Sequence, residues 1–313
     1  MLGEVDWTYV AERFRKMGWG LRLSQENQRC AQYHGRLQAV ILDWAGTTVD
    51  FGSLAPVRTL QRVFARINIS LTEPEARRDM GLAKKDHIRR ILAIERIKVE
   101  WKRVLGHLPG EPEVEELYQH FVPLQLSCLL EYSTFIPGVI EAIDRFRGRG
   151  LKIGTTTGYT RAMLDLLVEA GRKAGYVPDC NLCPGDVGAG RPHPFMIYES
   201  AVRLLVYPLE AIVKVGDTAA DIQEGLNAGA WTIGVAATGN MAGLSQTALE
   251  ALSAPEREAR VARARAELER AGAHYVVDKV GDVDGVLDDI DSHLQSAGRH
   301  SGPFKKKSEM LSQ

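Results

Sequence analysis

Cysteine is scarce in this chain: Cys30, Cys128, Cys180 and Cys183 are the only four in 313 residues. So small and scattered a set cannot build the disulfide framework of a secreted scaffold, and a reducing compartment is expected. Cys180 and Cys183 form a C-x-x-C, but no second cysteine pair or histidine cluster completes the four ligands of a zinc site. Cys183 runs into Pro184-Gly185-Asp186, a turn rather than the helix a redox dithiol usually opens, so the pair is expected to pack on a short strand. Long apolar runs are also missing. None reaches the ~18 residues needed to cross a bilayer, which excludes a membrane span. Charge of one sign is absent, since 39 Lys and Arg stand against 40 Asp and Glu for a net −1, and this argues against attraction of the whole chain to nucleic acid. No internal repeat or low-complexity block is present, and 45% hydrophobic with 25% charged residues suits an ordinary globular protein.

The N-terminus has no apolar stretch followed by a small-residue cleavage site, so no secretory signal is expected and the location is read as cytoplasmic. Between positions 13 and 36 six basic residues accompany one acidic residue, Glu26, which keeps organellar targeting open as the alternative. Residues 1–36 are read as an N-terminal extension, and 296–313, with Lys305-Lys306-Lys307, as a tail.

The length itself, at roughly 150 residues per domain, suggests about two domains. Apolar runs of strand length occur at 38–43, 151–156, 211–216 and 231–235, with amphipathic helical stretches at 137–147, 160–174 and 194–205. Strands alternating with helices predict an α/β fold, a doubly wound parallel sheet covered on both faces. From 55 to 135 only helical patterning is found: Ile88, Ile91, Leu92, Ile97, Trp101, Val104 and Leu105 recur at helical spacing, and 113–130 reads as another helix. The expected organisation is therefore a core domain of residues 37–54 and 136–295, interrupted after its first strand by a helical cap domain of residues 55–135.

Ligands of such sheets bind outside the carboxyl ends of the strands. Here those ends carry Asp43, then Thr155-Thr156-Thr157-Gly158, then Gly216-Asp217. Asp217 and Asp221 at spacing i, i+4 are expected on one face of a new helical turn. Carboxylates from two strand ends suit Mg2+, a small hard cation held by one or two carboxylates plus substrate oxygens and water. A strand-end threonine and Arg191, in Gly190-Arg191-Pro192, would supply hydrogen bonds and positive charge to a phosphoryl group.

Asp43-Trp44-Ala45-Gly46-Thr47-Thr48-Val49-Asp50, Thr157-Gly158-Tyr159-Thr160, Gly190-Arg191-Pro192 and Val215-Gly216-Asp217-Thr218-Ala219-Ala220-Asp221 resemble the four motifs of the haloacid-dehalogenase (HAD) superfamily. Within it they are similar to the phosphonatase family, the phosphonoacetaldehyde hydrolases, from about Leu37 to about Asp278. Met80-Gly81-Leu82-Ala83-Lys84-Lys85-Asp86-His87 resembles the cap segment that sets phosphonatases apart. Phosphatases of the superfamily usually carry a second Asp two residues after the nucleophile, as acid for the leaving alcohol. This chain has Ala45 there. An ester hydrolase without that acid must expel an unprotonated alkoxide, whereas a carbon leaving group has no lone pair to protonate.

Breaking a P–C bond needs an electron sink on carbon, and a lysine Schiff base with an adjacent carbonyl provides one. Lys84 and Lys85 are both candidates, because neighbours on a helix point about 100° apart and only one can face the crevice. The resemblance favours Lys84. Thirteen Lys and Arg against six Asp and Glu between 56 and 104 predict a basic field that lowers a lysine pKa and attracts a dianionic phosphonate. His87, at i+3 from Lys84, shares its helical face and is a candidate proton shuttle.

The resemblance implies Mg-dependent hydrolysis of phosphonoacetaldehyde to acetaldehyde and phosphate, through a Lys84 imine and an aspartyl-phosphate on Asp43. It implies a metal held by Asp43, the backbone carbonyl of Ala45 and Asp217, with Asp221 orienting water on the metal from behind. It implies substrate contacts from Ser53, Met80, Gly81, Thr157, Gly158, Tyr159 and Arg191, a small-molecule phosphonate as partner, and a homodimer joined through cap helices. Two alternatives stand beside it: a phosphatase or phosphomutase of the superfamily acting on a phosphate ester, and a non-catalytic binding member.

Overall fold

The computed structural model describes residues 33–296. Cys30, nearly all of the N-terminal extension with its basic stretch, and the tail from residue 297 lie outside the described residues. Six parallel strands form one sheet: β1 (Ala39–Leu42), β2 (Lys152–Thr156), β3 (Cys180–Leu182), β4 (Ile212–Gly216), β5 (Trp231–Val235) and β6 (Tyr275–Val277), in the order β3-β2-β1-β4-β5-β6. Strand β1 is Ala-Val-Ile-Leu and buried throughout, the composition of a strand covered on both faces.

Alternation sorts its side chains. Val40 and Leu42 join Ile153, Val213 and Val215 on the face covered by α6 (Val139–Gly148), α7 (Arg161–Lys173) and α12 (Val283–Ser296). Ala39 and Ile41 join Ile212 on the opposite face, under α8 (Phe195–Leu204), and further along that layer α9 (Ala219–Ala228) packs with α11 (Ala254–Arg270). This is the doubly wound sheet the periodicity predicts. Cys180 lies on β3 and Cys183 just after it, both buried free thiols, as expected of the C-x-x-C.

Between β1 and β2 the chain is helical: α1 (Leu54–Ala65), α2 (Glu73–Arg77), α3 (Lys84–Leu92), α4 (Glu95–Leu105) and α5 (Glu111–Cys128). The pattern from Ile88 to Leu105 is two helices broken at Ala93 and Ile94, and Leu105 is exposed rather than buried. α5 packs across α1 and α3. Phe64, Ile88, Trp101 and Phe121 of this insert belong to the same continuous cluster of buried apolar side chains as Leu42 and Trp44 of the sheet layer. The insert leaves and re-enters at one place: Val49 bridges Phe135 in antiparallel fashion, and the Ile136 amide donates to the Thr48 carbonyl at 2.9 Å. Among the described residues no helix is long and apolar enough to cross a membrane.

Candidate active site

Register places the predicted strand ends together. Leu42 is level with Thr155 of β2 and with Val215 of β4, so Asp43 emerges between Thr156 and Gly216 at the carboxyl edge. Its amide continues the ladder to the Val215 carbonyl at 3.0 Å. Trp44 turns down, its indole N–H donating to Thr155 Oγ1 at 3.0 Å and its ring meeting Tyr176 edge-on. Gly46 has φ +85°, and a Cβ there would stand 2.1 Å from Asp217 Oδ2. That close approach lets the turn wrap the second carboxylate, which accepts from Thr47 Oγ1 at 3.3 Å and from the Asn240 amide at 2.7 Å.

Asp217 precedes the helix rather than sharing its first turn with Asp221, as the i, i+4 spacing had suggested. Thr218 is the N-cap of α9 and Asp221 its capping partner, with Thr218 Oγ1 donating to Asp221 Oδ2 at 2.5 Å. Single carboxylate oxygens of Asp43, Asp217 and Asp221 nonetheless lie within 4.8 Å of one another, all three residues buried.

A buried ionic network surrounds them. Arg191 Nη2 donates to Asp43 Oδ1 at 2.8 Å, Nε to Glu224 Oε2 at 2.9 Å, and Nη1 pairs with Asp221 Oδ1 at 3.0 Å. Nη2 also donates to the Thr156 carbonyl at 2.7 Å. Lys214 is fully buried, pairing with Asp221 at 2.9 Å and donating to Thr156 Oγ1 at 2.9 Å. Burial pushes the Asp43 carboxyl up to about 6, with the Asp221 charge adding to it and Arg191 and Lys214 opposing. Asp217 is held well above the usual carboxylate range by burial and by the charges of Asp43 and Asp221. Burial also pulls on Asp221, but Arg191, Lys214 and the Thr218 hydroxyl overcome it and keep that carboxyl low.

The donor set fits a divalent cation. Counted as ionised, the four carboxylates Asp43, Asp217, Asp221 and Glu224 outnumber the cations Arg191 and Lys214 by two, an excess that burial and mutual repulsion meet by raising Asp43 and Asp217. Such an excess is costly in a buried site, and oxygen ligands this close suit Mg2+.

Across the crevice the insert supplies Lys84. The crevice is lined by Asp43, Ala45, Ser53, Met80, Gly81, Lys84, Thr157, Gly158, Tyr159 and Arg191, together with Pro56 and Thr218. Lys84 is buried, its Nζ 5.1 Å from the centroid of the Tyr159 ring and 3.9 Å from Met80 Sδ. Burial lowers its pKa to about 8; Asp43 works against this and Arg191 with it. The structure thus separates two lysines that sequence physics left open. Lys85 points outward, paired with Glu115 at 2.5 Å, which raises its pKa.

The predicted basic field is not what depresses Lys84. Arg89 pairs with Asp86 and Glu111, Arg96 with Glu75 and Glu100, and Arg77 with Glu73, so these charges are compensated within the insert. The cation acting on Lys84 is Arg191, from the core. His87 is fully buried on the same face of α3 but does not line the crevice. Its ring nitrogens make no well-formed hydrogen bond, and burial, then the Lys84 charge, push its pKa down to about 3 against a pull from the Ala76 backbone.

Gly158 shows how closely the two sides meet: a Cβ there would lie 2.4 Å from the Leu82 carbonyl oxygen. The sequence reading missed Lys214, Glu224, Thr218, Pro56 and Asn240. Two of these had a signal, a lysine inside the otherwise apolar run Ile212-Val213-Lys214-Val215 and a glutamate one helical turn after Asp221.

Residues 37–229 match the family model described as haloacid dehalogenase-like hydrolase, and residues 188–283 match a HAD-hydrolase-like model. The phosphonoacetaldehyde hydrolase of Syntrophobacter fumaroxidans is 44% identical over 262 residues, covering 84% of this chain and 95% of that protein. That of Bacillus cereus (strain AH187) is 42% identical over 256 residues, covering 82% of this chain and 97% of its own length. The crystal structure of a phosphonoacetaldehyde hydrolase-like protein from Oleispira antarctica superimposes with a TM-score of 0.83 at 40% identity, covering 84% of this chain and 95% of that one.

Proposed function

The chain belongs to the haloacid dehalogenase-like hydrolases, and from that membership we propose that it hydrolyses the P–C bond of phosphonoacetaldehyde, giving acetaldehyde and phosphate. The observation that carries this reading is Lys84, a buried amine with a pKa of about 8 lining the same crevice as Asp43, where Ala45 takes the place of a second carboxylate. A lysine held near neutrality is a nucleophile toward an aldehyde.

Neutral Lys84 adds to the aldehyde carbon, and the resulting carbinolamine takes up a proton from solvent as its hydroxyl leaves as water, giving a protonated imine. Asp43 attacks phosphorus in line, forming an aspartyl-phosphate while the P–C electron pair passes to carbon and on to the imine nitrogen as an enamine. Protonation of the enamine carbon and addition of water release acetaldehyde and restore Lys84. A second water frees phosphate from Asp43. His87, buried on the same helix as Lys84 and held as the neutral imidazole, would relay a proton during imine formation only by releasing one as it takes one up. Thr157, the Gly158 backbone and Arg191 hold the phosphoryl oxygens, and Ser53, Met80, Gly81 and Tyr159 enclose the carbon fragment. Asp43, the Ala45 carbonyl and Asp217 would hold Mg2+, with Asp221 orienting its water; the ion supplies neutralising charge at the phosphoryl oxygens. In this reading residues 55–135 form the cap domain and the chain works as a homodimer.

Incubation with phosphonoacetaldehyde and borohydride, followed by peptide mapping, tests the reading. Reduced adduct is expected on Lys84. Adduct on Lys85 alone, or none, overturns it. Undiminished phosphate-ester hydrolysis by a Lys84→Arg variant turns it toward the phosphatase.

A further inference from the structure

The segment carrying Met80, Gly81 and Lys84 leaves α2 at Arg77, whose side chain is 11% exposed. Arg77 Nη1 donates to the Gly52 carbonyl at 2.8 Å, to Asn240 Oδ1 at 3.1 Å and to the Asn240 carbonyl at 3.3 Å; Nη2 donates to the Gly243 carbonyl at 3.0 Å. Asn240 Nδ2 returns a bond to the Arg77 carbonyl at 3.2 Å. The backbone N–H of the same Asn240 donates to Asp217 Oδ2 at 2.7 Å. One guanidinium therefore gathers three stretches of chain: the insert, the crossing at Gly52 that leads into it, and the core loop at 240–243. That crossing is conformationally taut, because Asp50 and Ser53 both have positive φ without being glycine, at 54° and 50°.

We propose that Arg77 is the latch that fixes the cap over the core, and that through Asn240 it keeps the Lys84 segment and the Asp217 carboxylate in mutual register. A planar fork of five donors can serve carbonyls from several segments at once, which a lysine ammonium on a flexible stem cannot. Arg77 does not line the crevice. It is a positioning residue, acting on distance between the two halves of the site, where misplacement of about 1 Å can slow reaction about a hundredfold. The inference rests on the proposed function only in the arm of its test that uses Lys84.

The full chain is compared with Arg77→Ala, Arg77→Lys and Asn240→Ala. Borohydride trapping at Lys84 is timed with two probes: phosphonoacetaldehyde, which must engage core and cap together, and acetaldehyde, which needs Lys84 alone. Both Arg77 variants are expected to slow trapping by the phosphonate about tenfold or more and by acetaldehyde less than about twofold, with Asn240→Ala showing the same selectivity at about threefold. Amide exchange at 50–53 and 240–243 is expected to quicken about tenfold in Arg77→Ala. Unchanged selectivity and exchange in a folded variant overturn the latch, as does equal slowing with both aldehydes, which marks local damage at Lys84. If Arg77→Ala does not fold, Arg77→Lys and Asn240→Ala carry the comparison. If the unmodified chain gives no adduct at Lys84, the proposed function fails, and exchange alone decides the latch.

Discussion

On the core side of the crevice three carboxylates and two cations interlock at 2.8–3.5 Å, whereas on the cap side Lys84 rests against a thioether and the face of a phenol ring. The same residue type behaves oppositely in the two places. Lys214 in the core is paired twice, with Asp221 at 2.9 Å and Glu224 at 3.5 Å. Lys84 in the cap has no carboxylate in hydrogen-bond range, and burial without a partner is what brings its pKa to about 8. A group that must stay charged is given acids, and a group that must attack as a free amine is denied them.

The largest effect should come from the core. Asp43→Asn is expected to lower turnover about 10^4-fold or more while leaving borohydride trapping at Lys84 intact. Because Asp43 raises the Lys84 pKa, the pH at half-maximal trapping should also fall below about 8 in this variant. Loss of trapping together with turnover would break the division of labour.

Next, Lys84→Arg should abolish turnover, by about 10^3-fold or more, while Lys85→Arg, on the outer face of the same helix, stays within about twofold. Steady-state rates for the two variants, measured side by side, check this.

Glu224→Ala removes one acid from the buried network and leaves Arg191 and Lys214 with an uncompensated contact each, so denaturant unfolding should show a loss of about 3 kcal/mol. Lys84→Met should do the reverse and add about 2 kcal/mol at pH 7. The sign follows from linkage. The folded pKa of about 8 lies below the ordinary lysine value of 10.5, so the penalty on the wild type is full below about pH 8 and fades as pH rises to 10.5. The Lys84→Met gain should fade across the same window, and a gain constant with pH would assign it to packing instead.

The contrast also explains what could be read from the sequence. Strands β1, β2, β4 and β5 announce themselves as short apolar runs because both their faces are covered, and Asp43 and Asp217 stand out as the first polar groups beyond them. β6 does not, since three half-buried residues make too short a pattern. Lys84 and Lys85 differ only in azimuth around α3, which depends on where α5 packs. The network hides for a related reason: Lys214 and Glu224 take their meaning from Arg191 and Asp221, which only folding brings beside them. The basic insert was legible as a count but misleading as a field, because its acids sit on neighbouring helices and neutralise it.

The crossing at Val49 and Phe135 has a consequence for the chain as a polymer. Because the insert begins and ends at adjacent hydrogen-bonded positions, the sheet experiences it as a closed loop whose two ends never separate. The entropy of closing such a loop grows only with the logarithm of its length, by about 0.6 kcal/mol per doubling. For the strands on either side, eighty-odd residues between Val49 and Phe135 are therefore nearly as easy to accommodate as twenty. The length of the insert is free to change at little entropic cost while Asp43, Thr157 and Asp217 stay where the sheet puts them.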